Sequence, residues 1–243
     1  MSILRDVDSW NRMGITLSLM GKHKQAKKYY DKALQLEPGD LTAQVNLSNC
    51  LNFLGEYDKS IGLALNGLAI NPECLEAWVN LGSAYSNIGM VDEALFCFVN
   101  ASKLDPHNNT IWKNKAIISA QKGDYVNAIV CYDQSLRLEP KNMDTLYGKA
   151  FVHSYLNEFD QAHACYDRIL ELDPLQADCM VKKAVLFLIE KRGDEAIELL
   201  NRASRIDKNN LLILRYIAYA FYLIGDESSA LDYLRRANGL CTE

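Results

Sequence analysis

The stretch LEAWVNLGSAYSNIGMVDEALFCFVNASKLDPHN, residues 75–108, decides the fold because similar stretches fill nearly the whole chain. Its Pro106 belongs to a set of five prolines spaced 34 residues apart in the 243-residue sequence: Pro38, Pro72, Pro106, Pro140 and Pro174. Trp78 lies in register with the other two tryptophans, Trp10 and Trp112. A fixed period of this length indicates a chain built from repeated supersecondary units.

Each repeat is expected to contain two helices. Trp78, Leu81 and Tyr85 recur at spacings of three and four residues, which places them on one face of a first helix. Gly89 is expected to end that helix, because glycine adopts a positive φ without steric cost. A second helix follows and stops before Pro106, because the residue before a proline is pushed out of helical geometry. The prolines therefore mark the connections between successive helical hairpins.

The residue pattern of 75–108, with Trp78, Leu81–Gly82, Tyr85, Ala94, Phe98, Ala101 and Pro106 at fixed positions, resembles the tetratricopeptide repeat. The resemblance covers seven copies: 7–40, 41–74, 75–108, 109–142, 143–176, 177–210 and 211–243. It implies an all-α, right-handed superhelical solenoid, which we expect to form a single domain over 1–243. It also implies that the first helices line a concave groove that binds a protein or peptide.

Two copies depart from this pattern. The 41–74 copy has Gln44 in place of the tryptophan and Ala64 in place of the aromatic residue of the second helix. The 177–210 copy has Lys191 where the turn glycine is expected. We expect these changes to weaken individual repeats and to leave the architecture intact.

Composition and charge argue against several classes of function. The formal net charge is -5 and the pI is about 5.5, so no overall field favours nucleic acid or an anionic membrane. The most apolar segment, 211–224, contains Arg215 and is too short to span a bilayer. The start, MSILRDVDSW, lacks the apolar run of a signal peptide. Cysteines that recur at the repeat period, without a CxxC pair, favour packing residues in a reduced, cytoplasmic protein.

The sequence predicts a protein that is not an enzyme and binds no cofactor. It contains no GxGxxG, P-loop, HExxH or GxSxG motif. His163 and Cys165 are two residues apart on a predicted helix, so they point to different faces, which argues against a shared metal ion.

The first helices supply the candidate binding residues of the early part of the groove. The register of Asn80 reads Arg12, Asn46, Asn80, Asn114, Gly148, Lys182 and Tyr216, and Asn49 lies on the same predicted face. The three successive asparagines form a ladder whose carboxamides could bridge the N–H and C=O groups of an extended peptide. The ladder resembles the one that holds peptides in the superhelix of the O-linked N-acetylglucosamine transferase. The alternative is that these asparagines only form hydrogen bonds along the helix surface.

The later part of the predicted groove is apolar. Its residues are Tyr147, Phe151, Tyr155, Val181, Val185, Ile189, Tyr216 and Tyr219. Exposed apolar patches mark interaction sites, and a partner helix with regularly spaced anchors suits this one. The alternative is that packing between repeats buries these residues. Lys115, Lys149 and Lys183 stand in the register of Leu81, and we expect their stems to lie on the neighbouring helix with the ammonium groups in water.

Two functions fit these observations. The first is a non-catalytic scaffold that holds a peptide or helix of a protein partner in the concave groove. The second is an assembly protein that forms a homodimer through its C-terminal repeat, because 211–224 is apolar on nearly every face and the sequence stops soon after the fourteenth predicted helix. Neither function involves nucleic acid or a membrane, since the groove carries Asp8, Glu76, Asp144 and Asp178.

Overall fold

The structure, a computed structural model, describes residues 6–208 and 210–239, and every regular element in these two ranges is an α-helix. The fourteen helices are α1 (Val7–Leu19), α2 (His23–Leu36), α3 (Leu41–Leu54), α4 (Tyr57–Ile70), α5 (Leu75–Asn87), α6 (Val91–Leu104), α7 (Asn109–Gln121), α8 (Tyr125–Leu138), α9 (Met143–Tyr155), α10 (Phe159–Leu172), α11 (Ala177–Ile189), α12 (Gly193–Ile206), α13 (Leu211–Leu223) and α14 (Glu227–Ala237). They pair into seven helical hairpins, one for each predicted repeat. The predicted all-α fold of helix–turn–helix repeats is confirmed.

The turns within the hairpins lie where the sequence predicted them. Gly89 has a φ of +81°, and glycines at the same register of four other repeats also have positive φ: Gly21, Gly55, Gly123 and Gly225. In the two remaining turns, Asn157 and Lys191 adopt the same left-handed conformation, with φ of 59° and 61°. Five repeats therefore have glycine at this turn position, and the other two adopt the same backbone conformation with asparagine or lysine.

The chain divides into two compact units, Met1–Leu138 and Glu139–Glu243. The first unit contains α1 to α8, and the second contains α9 to α14. The organisation of 1–243 as a single domain stays a prediction.

Close packing within a hairpin explains the small residues of the repeat pattern. A Cβ atom added to Gly82 would lie only 3.1 Å from the Phe98 ring, and one added to Gly14 would lie 2.4 Å from the Tyr30 ring. Phe98 and Tyr30 are each 1% exposed. In these two repeats the aromatic residue of the second helix thus fills the space that the glycine of the first helix leaves.

The second unit has a continuous core of the same kind. Ala184, Leu200 and Ile217, from α11, α12 and α13, are fully buried and belong to one hydrophobic cluster. Within each unit, neighbouring hairpins therefore pack against each other, as expected of a repeat protein. This packing leaves the outward sides of the first helices free to form a surface.

Candidate functional site

A cavity of about 640 Å³ lies in the second unit on the face formed by its first helices, α9, α11 and α13. We call it the first-helix cavity. Its apolar wall consists of Tyr147, Phe151, Val181, Val185, Ile189, Leu212 and Tyr216. Sites for bound ligands typically enclose about 300–1,000 Å³ and are mostly apolar, so both the size and the lining suit a binding site.

Helical periodicity brings these side chains to one face. Tyr147 and Phe151 are one turn apart on α9, and Val181, Val185 and Ile189 follow each other at intervals of four residues on α11. Phe151 is 63% exposed and Ile189 is 57% exposed. The wall thus presents large apolar side chains to water, as the sequence predicted for the later part of the groove.

Charged and polar groups also line the first-helix cavity. The Nζ of Lys182 lies 3.7 Å from the Oδ2 of Asp178, and about half or more of each side chain is exposed. Such an exposed pair on one helix contributes only about 0.3–0.5 kcal/mol, so it can exchange its partner at little cost. Burial raises the pKa of Tyr147 far above its usual value, which keeps its hydroxyl neutral.

The structure gathers four of the predicted site residues in this cavity: Tyr147, Phe151, Lys182 and Tyr216. Tyr219 is 50% exposed on α13 and does not line the wall. Its ring instead stacks with Tyr222 at a centroid distance of 6.5 Å.

In the first unit, Asn80 has a structural contact that the register alone did not reveal. It is 4% exposed, and its Nδ2 donates to the carbonyl oxygen of Val45 at 2.9 Å. The Nδ2 of Asn52 in turn donates to the carbonyl oxygen of Asn80 at 2.9 Å. These two hydrogen bonds join α3 to α5, so the amide of Asn80 is occupied by the neighbouring first helix.

The other residues predicted for the early part of the groove are more accessible. Arg12 and Asn49 are exposed, and Asn46 is half-buried. Asn114 lines a cavity of about 170 Å³ together with Ser83 and Asn87. The peptide-binding role of these residues stays a prediction.

Lys115 and Lys183, two of the three lysines in the register of Leu81, have contacts that the structure describes. The ammonium nitrogen of Lys115 lies 4.8 Å above the centre of the Trp112 ring. Lys183 forms an ion pair with Asp167 and lies 5.6 Å above the centre of the Phe187 ring. Their cations thus bind aromatic rings and a carboxylate, whereas the sequence predicted only water around them.

The chemically reactive side chains of the described residues are mostly engaged in packing. Six cysteines are buried as free thiols. Burial raises the pKa of Cys97 and of Cys179 to about 12, so these thiols stay protonated and unreactive near neutral pH. Within 6–208 and 210–239, no group of three or more His, Cys, Asp or Glu residues is arranged to hold a metal ion. In the same ranges, every helix is too short or too polar to cross a membrane.

Seven helical hairpins with left-handed turns and buried aromatic residues define a tetratricopeptide-repeat protein. The family model described as the cilia and flagella-associated protein 70 C-terminal domain, a tetratricopeptide-repeat domain, matches residues 3–203. The chain belongs to this family. No individually curated protein sequence matches it significantly. Scaffold families with this repeat are generally non-catalytic.

Solved structures share the fold at low sequence identity. The PilF protein of Pseudomonas aeruginosa matches with a TM-score of 0.73 and 20% identity, over 87% of this chain and 96% of that one. A tetratricopeptide-repeat protein of Parabacteroides merdae matches with a TM-score of 0.70 and 13% identity, over 98% and 94%. YrrB, described as having an unusual peptide-binding site, matches with a TM-score of 0.64 and 18% identity, over 76% and 95%. These likenesses establish the fold.

A second apolar cavity, which was not predicted from the sequence, lies in the first unit beside Trp78 and Phe96. The sequence does contain a feature that indicates this cavity, at the register of Phe96. The corresponding residues of the other repeats are Lys28, Gly62, Val130, Ala164, Glu198 and Asp232, so Phe96 is the aromatic residue at a register that otherwise carries smaller or charged side chains.

Proposed function

We propose that this protein is a non-catalytic scaffold and that the first-helix cavity binds the apolar face of a partner's helix. The observation that supports this most strongly is the exposure of Phe151 and Ile189, 63% and 57%, on the wall of an apolar cavity of about 640 Å³. Burial of a large apolar side chain contributes roughly 1.5–3 kcal/mol relative to leaving it in water. A partner that covers both side chains would therefore gain a substantial part of its binding free energy from them.

The character of the wall favours a helix over an extended peptide. An extended peptide is held mainly through main-chain hydrogen bonds, whereas an amphipathic helix inserts side-chain anchors spaced three or four residues apart. The wall offers mostly apolar side chains, such as Val181 and Val185, and about half or more of each side chain of its charged pair, Asp178 and Lys182, is exposed. Apolar anchors in the centre and polar contacts at the rim are the usual arrangement of a protein interface.

The comparisons support the same class of function. YrrB, which shares the fold, is described as having a peptide-binding site. The family description associates the domain with cilia and flagella, so we propose that the partner is a protein of that organelle. Buried free thiols suit a reducing compartment, and we place the protein in the cytoplasm.

A crosslinking experiment tests this proposal. A photoreactive phenylalanine analogue replaces Phe151 in the full chain, and the crosslinked partner is identified by mass spectrometry. We expect capture of a partner helix that is lost when Ile189→Lys is also introduced. Leu175, which is 70% exposed in the same unit and lies outside the wall, is the control position. Equal crosslinking from positions 151 and 175 would contradict the proposal.

A second candidate function is self-association through α13. Leu211, Leu212 and Tyr222 of this helix are 51%, 52% and 63% exposed. Of these, only Leu212 also lines the first-helix cavity. The oligomeric state of the protein in solution therefore tests this second candidate separately from the first.

A further inference from the structure

The second apolar cavity has a volume of about 670 Å³ and is lined by α4, α5 and α6. We call it the Trp78 cavity. Leu65 of α4 and Phe96 of α6 line it and are 46% and 61% exposed. The rings of Trp78 and Phe96 meet edge to face at 5.8 Å, and the Trp78 indole N–H donates to the carbonyl oxygen of Pro72 at 2.8 Å. The aromatic wall is therefore fixed in orientation before any ligand binds.

The Trp78 cavity also contains two carboxylates, Asp92 and Glu93, in the first turn of α6. The Oδ1 of Asp92 lies 2.7 Å from the Nζ of Lys122, so this carboxylate already has a cationic partner. Glu93 is exposed and has no ion-pair partner among the residues that the structure describes. An apolar cavity with one unpaired carboxylate is complementary to a side chain that has an aliphatic stem and a positive end.

The next repeat shows how this fold holds such a side chain. Lys115 stands in the register of Leu81, and its ammonium nitrogen lies 4.8 Å above the centre of the Trp112 ring, which is the counterpart of Trp78. An ammonium group over an indole face is stabilised by the ring quadrupole. In the repeat 75–108 the uncharged Leu81 takes the place of the lysine, and no described cation lies over Trp78. The ring that the chain's own lysine covers in one repeat is thus left uncovered in the other.

We propose that the Trp78 cavity binds a lysine or arginine side chain from a protein partner, with the stem against the apolar wall and the cation near Trp78 and Glu93. Long basic side chains bury their methylene groups on apolar surface while the charged end stays near water or a carboxylate. The negative charge at Glu93 favours a cation and disfavours an anionic side chain at the same place. This site belongs to another unit than the first-helix cavity, and its failure would leave the proposed scaffold function untouched.

The test uses three blocked tripeptides as probes of the full chain: Leu-Lys-Leu, Leu-norleucine-Leu and Leu-Glu-Leu. Binding is followed through the tryptophan indole N–H resonances, with the Trp78 signal assigned by Trp78→Phe. We expect a saturable shift of the Trp78 signal with the lysine peptide, binding weaker by about fivefold with norleucine because the cation–π and carboxylate contacts are lost, and no shift with the glutamate peptide. Norleucine binding as tight as lysine binding would overturn the proposal.

Substitutions then identify the groups responsible. Glu93→Gln is expected to weaken binding of the lysine peptide about twofold, because only the carboxylate contact is lost, and to leave binding of the norleucine peptide unchanged. The control is Asp58→Asn, which changes another exposed carboxylate of the same unit outside the cavity wall. Leu81→Lys supplies the lysine that the next repeats carry at this register, and it is expected to abolish probe binding. Leu81 is buried, so if Leu81→Lys fails to fold, Phe96→Ala at an exposed position replaces it. Unchanged affinity in Glu93→Gln would also overturn the proposal.

Discussion

Lys191 occupies the left-handed turn position between α11 and α12, where five repeats of this chain have glycine. In this conformation the Cβ atom of an L-residue crowds the following carbonyl oxygen, at a cost of roughly 1–2 kcal/mol. Asn157 shares the conformation, but asparagine tolerates it better through local hydrogen bonding. The turn at Lys191 therefore stores more strain than the other turns of the described chain.

The first prediction concerns this residue. Lys191→Gly is expected to raise the free energy of unfolding by about 0.5–1 kcal/mol, because relief of the φ strain exceeds the greater entropy that glycine loses on folding. Urea denaturation measures the change. Lys191→Ala is the control, since it removes the charge and keeps the Cβ atom. An equal gain from alanine would show that the lysine side chain, and not its backbone conformation, limits stability.

The two interior glycines of α4 give a second prediction. A Cβ atom at Gly62 would meet nothing within 4 Å, whereas one at Gly67 would lie 3.3 Å from Val45 and 3.4 Å from Leu41. Gly62→Ala is expected to stabilise the protein by about 0.8–1 kcal/mol through helix propensity alone. Gly67→Ala is expected to gain less, because Val45 and Leu41 must give way.

Amide hydrogen exchange measures the local stability of α4 in both glycine variants. This helix also has Ala64 where other repeats have an aromatic residue, and it is expected to exchange its amides faster than α6. Gly62→Ala should slow that exchange. Equal protection of α4 and α6 in the unsubstituted protein would show that the glycines cost the repeat nothing.

Among the elements, α13 combines a buried face with an exposed apolar one. Ile217 and Ala220 are fully buried, and Phe221 stacks on Tyr233 of α14 at 5.5 Å. Leu211, Leu212 and Tyr219 are about half exposed on the same helix. The buried face packs in the core, and the exposed face is the surface on which the proposed self-association depends.

The third prediction is that the protein forms a concentration-dependent dimer through this exposed face. Tyr216→Lys combined with Tyr219→Lys is expected to give a monomer with unchanged circular dichroism, because lysine is a good helix former and its charge opposes burial. Sedimentation velocity over a range of concentrations measures the effect, with Leu175→Lys as the control at an exposed leucine. If the unsubstituted chain sediments as a monomer at high concentration, self-association through α13 is wrong.

The sequence predicted the elements better than the surfaces between them. The register of Gly89 and Pro106 located the helix ends, because a positive φ and a fixed proline ring act on the local backbone alone. The exposure of Asn80 could not be predicted from the local sequence. Whether its side chain meets water or the next first helix depends on how closely α3 and α5 approach, and the structure joins them through the Val45 carbonyl.

Part of the first-helix cavity was predictable, because the pattern of apolar residues along a single helix can be read from the sequence. Phe151 and Ile189 were identified because a long apolar run on one helical face exceeds what the core can bury. The Trp78 cavity was not predicted, since it depends on which side chain covers a given ring. Leu81 stands where the next three repeats have lysine, so the repeat 75–108 lacks the cation that lies over the indole in the next repeat.

For the molecule as a whole, the buried thiols of cysteine and hydroxyls of tyrosine predict a loss of stability at alkaline pH. Burial raises the pKa of Cys97 and of Cys179 from 9.0 to about 12, and the pKa of Tyr132 and of Tyr166 from 10.0 to about 12. The unfolded chain therefore releases these protons at lower pH than the folded chain. Their contribution to stability is complete below about pH 9 and is lost progressively as the pH rises toward 12.

The fourth prediction follows from this linkage. The urea midpoint of unfolding is expected to be constant between pH 7 and about pH 8.5 and to fall steadily above it. Cys97→Ala removes one of the titrating groups and is expected to make the fall less steep, although it lowers stability at every pH by leaving a small cavity. A midpoint that stays level up to pH 11 would contradict the predicted shifts.

The burial of the thiols also has a practical consequence for labelling. A maleimide dye reacts with an accessible thiolate, and the six described cysteines are buried. A new surface cysteine can therefore be labelled selectively while the native core is kept, provided that Cys241, which lies outside the described residues, is changed to serine. Dyes placed singly at positions 96 and 151 would report the occupancy of each cavity independently, so that two kinds of partner could be followed on one chain.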